Sequence, residues 1–178
     1  MNQSLWKKIK KNNEYHDFKK DVDVLIIGAG LSGINTAYFL KDSNLKVCLI
    51  DDGKIGNGAS AYTTGKLTYL QSDILTKIQN IYDYETAKKY LDSQIYAINL
   101  ICNIINENNI DCDLTKNDSY VFTTCDSNKY IIDKIYNFLK KSDIKSELKN
   151  KLPIDIPCKY SLKVSDTYVF NPVKYMYS

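Results

Sequence analysis

All seven glycines of this 178-residue chain lie between Gly28 and Gly65, and that crowding fixes where the backbone can do something unusual. Glycine tolerates left-handed torsions and the close approach of a ligand or of another stretch of backbone. Just before the first of them stands a β-branched run, Val22 to Ile27, which reads as a short buried parallel strand. From Leu31 to about Lys41 the period becomes helical, with Ile34, Ala37 and Tyr38 on one side, and Ser43-Asn44 closes the segment. Lys46 to Asp51 (Lys-Val-Cys-Leu-Ile-Asp) reads as a second strand. Strand, helix and strand in about 30 residues make a βαβ unit, whose crossover should be right-handed.

The turn from strand to helix, Gly28-Ala29-Gly30-Leu31-Ser32-Gly33, fits G-x-G-x-x-G. Such a match acquires meaning from its context: a strand before it, a helix opening on it, and an acidic residue, Asp51, 18 positions past Gly33 at the end of the second strand. Gly28 allows the tight turn, Gly30 lets backbone N–H groups approach a pyrophosphate, and Gly33 lets the helix lie close to the sheet. The helix N-terminus at Leu31, Ser32 and Gly33 offers unsatisfied N–H groups and the positive end of a dipole. Asp51 is placed to accept hydrogen bonds from an adenosine ribose. A carboxylate there repels a 2′-phosphate, and the chain contains no Arg, so NADP is disfavoured. FAD and NAD share this fingerprint, and it does not choose between them.

Asp52 to Lys66 is a Gly-, Ser- and Thr-rich loop long enough to be functional in its own right. Beyond it, Ser72 is placed to cap a helix carrying Ile74, Leu75, Ile78 and Ile81. A longer helix follows from about Tyr84 to Asn108, with an apolar stripe at Ala87, Leu91, Ile95, Ile98, Cys102 and Ile105. Ser119 to Thr124 and Thr167 to Phe170 read as strands, separated by a helix from about Ser127 to Lys141 and a polar stretch ending at Pro153 and Pro157. Asn171-Pro172 has the form of a cap and first-turn proline.

Composition excludes several classes. With 44% apolar and 25% charged residues the chain is globular in type, and a net charge of +3 is too balanced for an electrostatic nucleic-acid binder. No apolar run approaches the about 20 residues of a membrane helix. Five cysteines, Cys48, Cys102, Cys112, Cys125 and Cys158, form no C-x-x-C pair, which fits reduced thiols and a cytoplasmic protein. Residues 1–21 form a basic arm with Lys7, Lys8, Lys10, Lys11, Lys19 and Lys20, expected to dock through Trp6. The single histidine, His16, lies in that arm, and no metal site is expected.

Several segments resemble FAD-dependent oxidoreductases of the D-amino-acid oxidase and glycine oxidase type, in a branch near gamma-glutamylputrescine oxidoreductase that often carries a Rieske iron–sulfur domain. They are Ser4-Leu5-Trp6, Asp23 to Leu40, Ile50 to Lys66 with Gly56-Asn57-Gly58-Ala59-Ser60 and Thr63-Thr64-Gly65-Lys66, Asn109 to Phe122, and Phe170 to Tyr175. The resemblance implies an α/β protein, a Rossmann-like FAD-binding βαβ unit with its flavin loop over 22–66, followed by an incomplete α+β substrate domain over 67–178. It implies FAD as cofactor and a small-molecule amine or amino acid as substrate. It also implies cofactor contacts from Gly28, Ala29, Gly30, Leu31, Ser32, Gly33, Asp51 (where Glu is usual), Asp52, Gly58, Ala59, Ser60, Thr63, Thr64 and Lys66.

Relatives of that type are much longer, so the chain is expected to be an N-terminal portion, inactive alone. It should be prone to associate with itself or with a missing C-terminal half through an exposed strand edge. No catalytic residue is named, because the resemblance places the flavin-facing Gly-rich segment and most of the substrate pocket beyond Ser178. A truncated nucleotide-binding product, half of a split flavoprotein and an NAD-binding domain are the alternatives.

Overall fold

In a computed structural model the chain is described at residues 4, 6, 21–53, 55 and 58–178. Apart from Ser4, Trp6 and Asp21, the basic arm with His16 lies outside the described residues, as do Lys54, Gly56 and Asn57 of the resembling segments. The chain divides into two compact units.

The first unit gathers residues 1–65, 107–114 and 170–178. The β-branched run forms β1 (Val24–Ile27), which pairs in parallel with β2 (Val47–Ile50) in the register Val24↔Val47 to Ile27↔Ile50. The pairing begins with the Asp23 N–H bonded to the Lys46 carbonyl at 2.9 Å and the Lys46 N–H bonded to the Asp23 carboxylate at 2.7 Å. Between the strands runs α1 (Leu31–Leu40). Its C-terminal end is closed by the Ser43 hydroxyl donating to the Leu40 carbonyl at 2.6 Å.

Along β1 the side chains alternate as a strand requires. Ile26 is buried on the α1 side, while Leu25 and Ile27 face the other way, 42% and 80% exposed. Parallel sheets are normally covered on both faces, so this sheet shows one dressed and one bare apolar face among the described residues.

The short helix α5 (Pro172–Met176) completes this unit. Asn171 caps it as the sequence suggests, its side-chain oxygen accepting the N–H groups of Val173 at 3.2 Å and Lys174 at 3.1 Å. The Asn171 N–H donates to the Cys112 carbonyl at 2.7 Å, and the Phe170 N–H to the Gly65 carbonyl at 2.9 Å. These two bonds join the three chain segments of the unit.

The second unit comprises residues 66–106 and 115–169. Its elements are β3 (Lys66–Leu67), α2 (Ile74–Ile81), α3 (Tyr84–Glu107), β4 (Thr115–Thr123), α4 (Lys129–Lys141), β5 (Ser146–Lys149) and β6 (Tyr160–Val169). The central strand is β6, paired antiparallel with β4 along most of its length and with both β3 and β5. Leu75, Leu91, Ile132, Ile135, Leu139, Leu162 and Val164 are its most deeply buried large apolar side chains. The α3 stripe is buried at Ala87, Leu91, Ile98, Cys102 and Ile105, with Ile104 added and Ile95 only half-buried.

Three local expectations need correction. Ser72 does not cap α2; it sits in the left-handed region at φ +51°, and the helix opens after Asp73 without a side-chain cap. The last strand is not the short Thr167–Phe170 but the ten residues of β6, because Leu162 and Val164 find partners on both sides that the Lys163 and Ser165 between them obscure in sequence. The polar stretch before Pro153 contains β5, Ser-Glu-Leu-Lys, whose strand character comes from pairing with β6 and not from any apolar alternation.

Among the described residues no helix is long and apolar enough to cross a membrane, and no group of three or more His, Cys, Asp or Glu is arranged to hold a metal ion.

Candidate functional site

The site is built at the carboxyl ends of β1 and β2. The Gly28 N–H donates to the Ile50 carbonyl at 2.7 Å, continuing the sheet by one bond. The chain then turns at once, with Gly28 at φ +103°, a torsion that a side chain would strain. A Cβ at Gly28 would meet nothing within 4 Å, so the turn faces open space on that side. At Gly33 the opposite holds: an added Cβ would lie 1.9 Å from the Gly28 carbonyl oxygen and 3.3 Å from Ile26 Cγ2. Helix α1 therefore starts directly on the turn.

Two side chains from distant parts of the chain converge on the first N–H groups. One Asp51 oxygen accepts the Ala29 N–H at 2.6 Å, and the other accepts the Gly53 N–H at 2.9 Å. These bonds, that from Ala29 first and that from Gly53 second, hold the Asp51 carboxyl below its ordinary pKa, so it is charged at neutral pH. The Ser60 hydroxyl oxygen accepts the Leu31 N–H at 3.0 Å. It would also lie 2.9 Å from a Cβ placed on Gly30. The Ile34 N–H returns to the Gly30 carbonyl at 3.0 Å. The N–H groups of Gly30, Ser32 and Gly33 take no partner among the described residues, as the first turn of a helix leaves them.

The remaining expected residues are placed as follows. Asp52 is exposed next to Asp51. Gly58 precedes a 3-10 turn, Ala59–Tyr62, and its carbonyl accepts the Ala61 N–H at 3.0 Å. Ala59 is exposed in that turn. Thr63 ties the loop to itself, its hydroxyl accepting the Gly65 N–H at 3.1 Å, and Thr64 is exposed. The structure thus joins the Gly28 to Gly33 turn to Asp51 and Ser60, with Asp52 against the Asp51 carboxylate, where it adds to the lowering of that group, and does not bring Thr63 or Thr64 into that hydrogen-bonded group. Lys66 is an exposed residue at the start of β3, in the second unit.

Sequence reasoning missed the residues that hold the site from behind. Asn35 donates from its amide to the Leu31 carbonyl at 2.7 Å and accepts the Tyr175 hydroxyl at 2.6 Å, which ties α1 to α5. The Tyr177 hydroxyl donates to the Ile55 carbonyl at 2.7 Å. The Asn35–Tyr175 and Tyr177–Ile55 contacts each span more than a hundred positions, and one sequence carries no signal for such a pair.

A glycine turn with free N–H groups at a helix start, an ionised carboxylate at the end of the next strand and open space above the turn define a dinucleotide-binding βαβ unit. The family model for FAD dependent oxidoreductases matches residues 23–178, and the chain belongs to that family. Its cofactor is accordingly FAD, and the donor set fits the ADP half of that molecule: N–H groups for the pyrophosphate, a carboxylate for ribose hydroxyls, and no Arg to hold a 2′-phosphate.

The Bacillus subtilis (strain 168) protein YhfW, described by name as a Rieske 2Fe-2S iron-sulfur protein, is 31% identical over 156 residues, which is 88% of this chain and 31% of that protein. Gamma-glutamylputrescine oxidoreductase of Escherichia coli (strain K12) is 29% identical over 91 residues, 51% of this chain and 21% of the enzyme. Among solved structures, L-amino acid deaminase from Proteus vulgaris superposes with a TM-score of 0.69 at 15% identity, over 93% of this chain and 43% of that one. Glycine oxidase from Bacillus cereus superposes with a TM-score of 0.62 at 17% identity, over 88% and 42%. The chain spans less than half the length of each of these relatives.

Proposed function

We propose that this chain supplies the ADP-gripping part of a flavoenzyme that oxidises an amine or an amino acid. The observation that carries the reading is the convergence of Asp51 and Ser60 on the N–H groups of the Gly28 to Gly33 turn. In support of the substrate class, the names of three of the relatives, a gamma-glutamylputrescine oxidoreductase, a glycine oxidase and an L-amino acid deaminase, describe molecules bearing an amino group. When bound, FAD supplies a hydride acceptor for a C–H bond beside the amine nitrogen.

This chain's own residues bind and orient. Gly30, Leu31, Ser32 and Gly33 present N–H groups to the pyrophosphate at the positive end of α1. Asp51 spends one lone pair of each oxygen on Ala29 and Gly53 and keeps acceptor capacity for ribose hydroxyls. Its negative charge also discriminates against a phosphorylated ribose. Gly28 and Ala29 shape the turn. Asp52, Gly58, Ala59 and Ser60 border the pyrophosphate, and Thr63 and Thr64 continue towards the flavin ring. Residues 22–66 then form the cofactor part and most of 67–178 the first portion of the substrate domain, while 107–114 and 170–178 pack in the unit of the glycine turn.

The test is the visible spectrum of the purified full-length protein. We expect bound flavin, and a lower FAD content in Asp51→Ala at equal protein concentration. A folded protein without flavin absorbance, or an Asp51→Ala variant with unchanged FAD content, overturns the proposal.

A further inference from the structure

We propose that Ser4 and Trp6 form a strap that positions the cofactor loop, so that the affinity for FAD depends on two residues that do not touch the glycine turn. The inference rests on the FAD-site reading above. The Ser4 hydroxyl donates to the Ala61 carbonyl, and the Trp6 indole N–H donates to the Thr63 carbonyl at 3.0 Å. Both bonds span 57 positions, so the two segments lie side by side at a fixed offset. The strap is itself held in shape, because the Trp6 N–H bonds back to the Ser4 hydroxyl oxygen at 3.1 Å.

The indole also packs on the loop. Its Cζ2 atom would be 3.2 Å from a Cβ on Gly65, a residue at φ +66°. Ala61, whose carbonyl the Ser4 hydroxyl meets, is wholly buried. The strapped loop is the one that carries Ser60, and Ser60 meets the Leu31 N–H at the start of α1. A loop of this length loses conformational freedom when it closes on a ligand, and holding it in place beforehand removes part of that cost from the binding step. Ser4 and Trp6 are therefore positioning residues for the cofactor.

The experiment compares FAD dissociation constants of full-length protein, stripped of flavin and titrated with FAD, for wild type, Ser4→Ala, Trp6→Phe and Gly30→Val. Trp6→Phe keeps an aromatic ring against Gly65 and loses only the N–H donor. We expect Trp6→Phe to bind FAD about fivefold more weakly, the loss of one net hydrogen bond, and Ser4→Ala, which removes two, at least about fivefold more weakly, both with unchanged far-ultraviolet circular dichroism.

Linkage supplies a readout that a merely structural role would not move. If the strap strengthens FAD binding, FAD must strengthen strap engagement by the same factor. Tryptic cleavage after Lys7 and Lys8 is then slowed by FAD in the wild type, and the slowing shrinks in Ser4→Ala. Unchanged FAD affinity in both strap variants, while Gly30→Val fails to take up FAD, overturns the strap. Cleavage that FAD does not slow also overturns it. A Gly30→Val protein that binds FAD like the wild type overturns the cofactor reading itself, and the strap with it.

Discussion

Replacing Gly33 by alanine sets two effects against each other. Alanine in a helix interior is favoured over glycine by about 1 kcal/mol. The added Cβ, however, would sit 1.9 Å from the Gly28 carbonyl oxygen, whereas real Cβ contacts essentially never fall under 3.0 Å. Relief requires α1 and the turn to part by about 1 Å in a region packed to the density of a crystal. The carbonyl has little freedom to retreat, since the N–H of the same residue is bonded to Ile50 at 2.7 Å. Overpacking of this kind costs about 1–3 kcal/mol, and contact with backbone belongs at the upper end. The net loss is then about 2 kcal/mol, which for a protein of this size lowers the midpoint of thermal unfolding by about 4–8 °C. Circular dichroism melts of wild type and Gly33→Ala read this directly. Gly58→Ala is the control, because its Cβ would meet nothing within 4 Å and its φ of −82° suits any residue. A Gly33→Ala protein that melts at or above the wild type would refute the reasoning, because helix propensity would then have outweighed the packing of α1 on the turn.

Three further outcomes follow from the same geometry. Asp51 has a lowered folded pKa, so its hold on the Ala29 N–H is complete above the ordinary carboxylate value of about 3.9 and is lost as the pH falls through the lower folded value. FAD release from the wild type should therefore show an acid limb below about pH 4 that Asp51→Asn lacks, with Asp51→Asn binding more weakly at neutral pH. A flat wild-type profile across that window would count against the assignment. In the second unit, burial first and the charge of Asp166 second push the Tyr69 hydroxyl up to about 12. Unfolded chains ionise their tyrosines from about pH 10, so this residue opposes folding increasingly between pH 10 and 12, and Tyr69→Phe should flatten that part of the alkaline melt while costing about 1 kcal/mol at pH 7 for the lost bond to the Ser165 carbonyl. Asn171→Ala removes a cap that takes two N–H groups and should destabilise the first unit by about 1 kcal/mol in denaturant titration.

How much of this was legible in the sequence depends on the range of the forces involved. The βαβ unit was readable because a β-branched run, a glycine turn and a helical period are local signals, and the ends of β1, α1 and β2 fall within two residues of those expected. Asn171 was readable for the same reason, since an Asn-Pro pair acts on its own next turn. β5 and the length of β6 were not, because a strand such as Ser-Glu-Leu-Lys exists only where a partner supplies its hydrogen bonds. At the site, the motif pointed to Asp51 and the family resemblance to Ser60. That the two meet the same turn, one on Ala29 and the other on Leu31, is a tertiary fact. Asn35, Tyr175 and Tyr177 work through contacts spanning more than a hundred positions, and nothing near them in sequence marks that role.

The central claim is that the turn from Gly28 to Gly33, together with Asp51, grips the ADP half of FAD. Titration of the flavin-free full-length protein with FAD, FMN and ADP tests it most directly, since FMN carries the flavin ring without the adenosine that Asp51 would hold. The account predicts tight binding of FAD, little binding of FMN, and ADP competing with FAD in the wild type and far less in Asp51→Ala. FMN binding as tightly as FAD, with no competition from ADP, would contradict it.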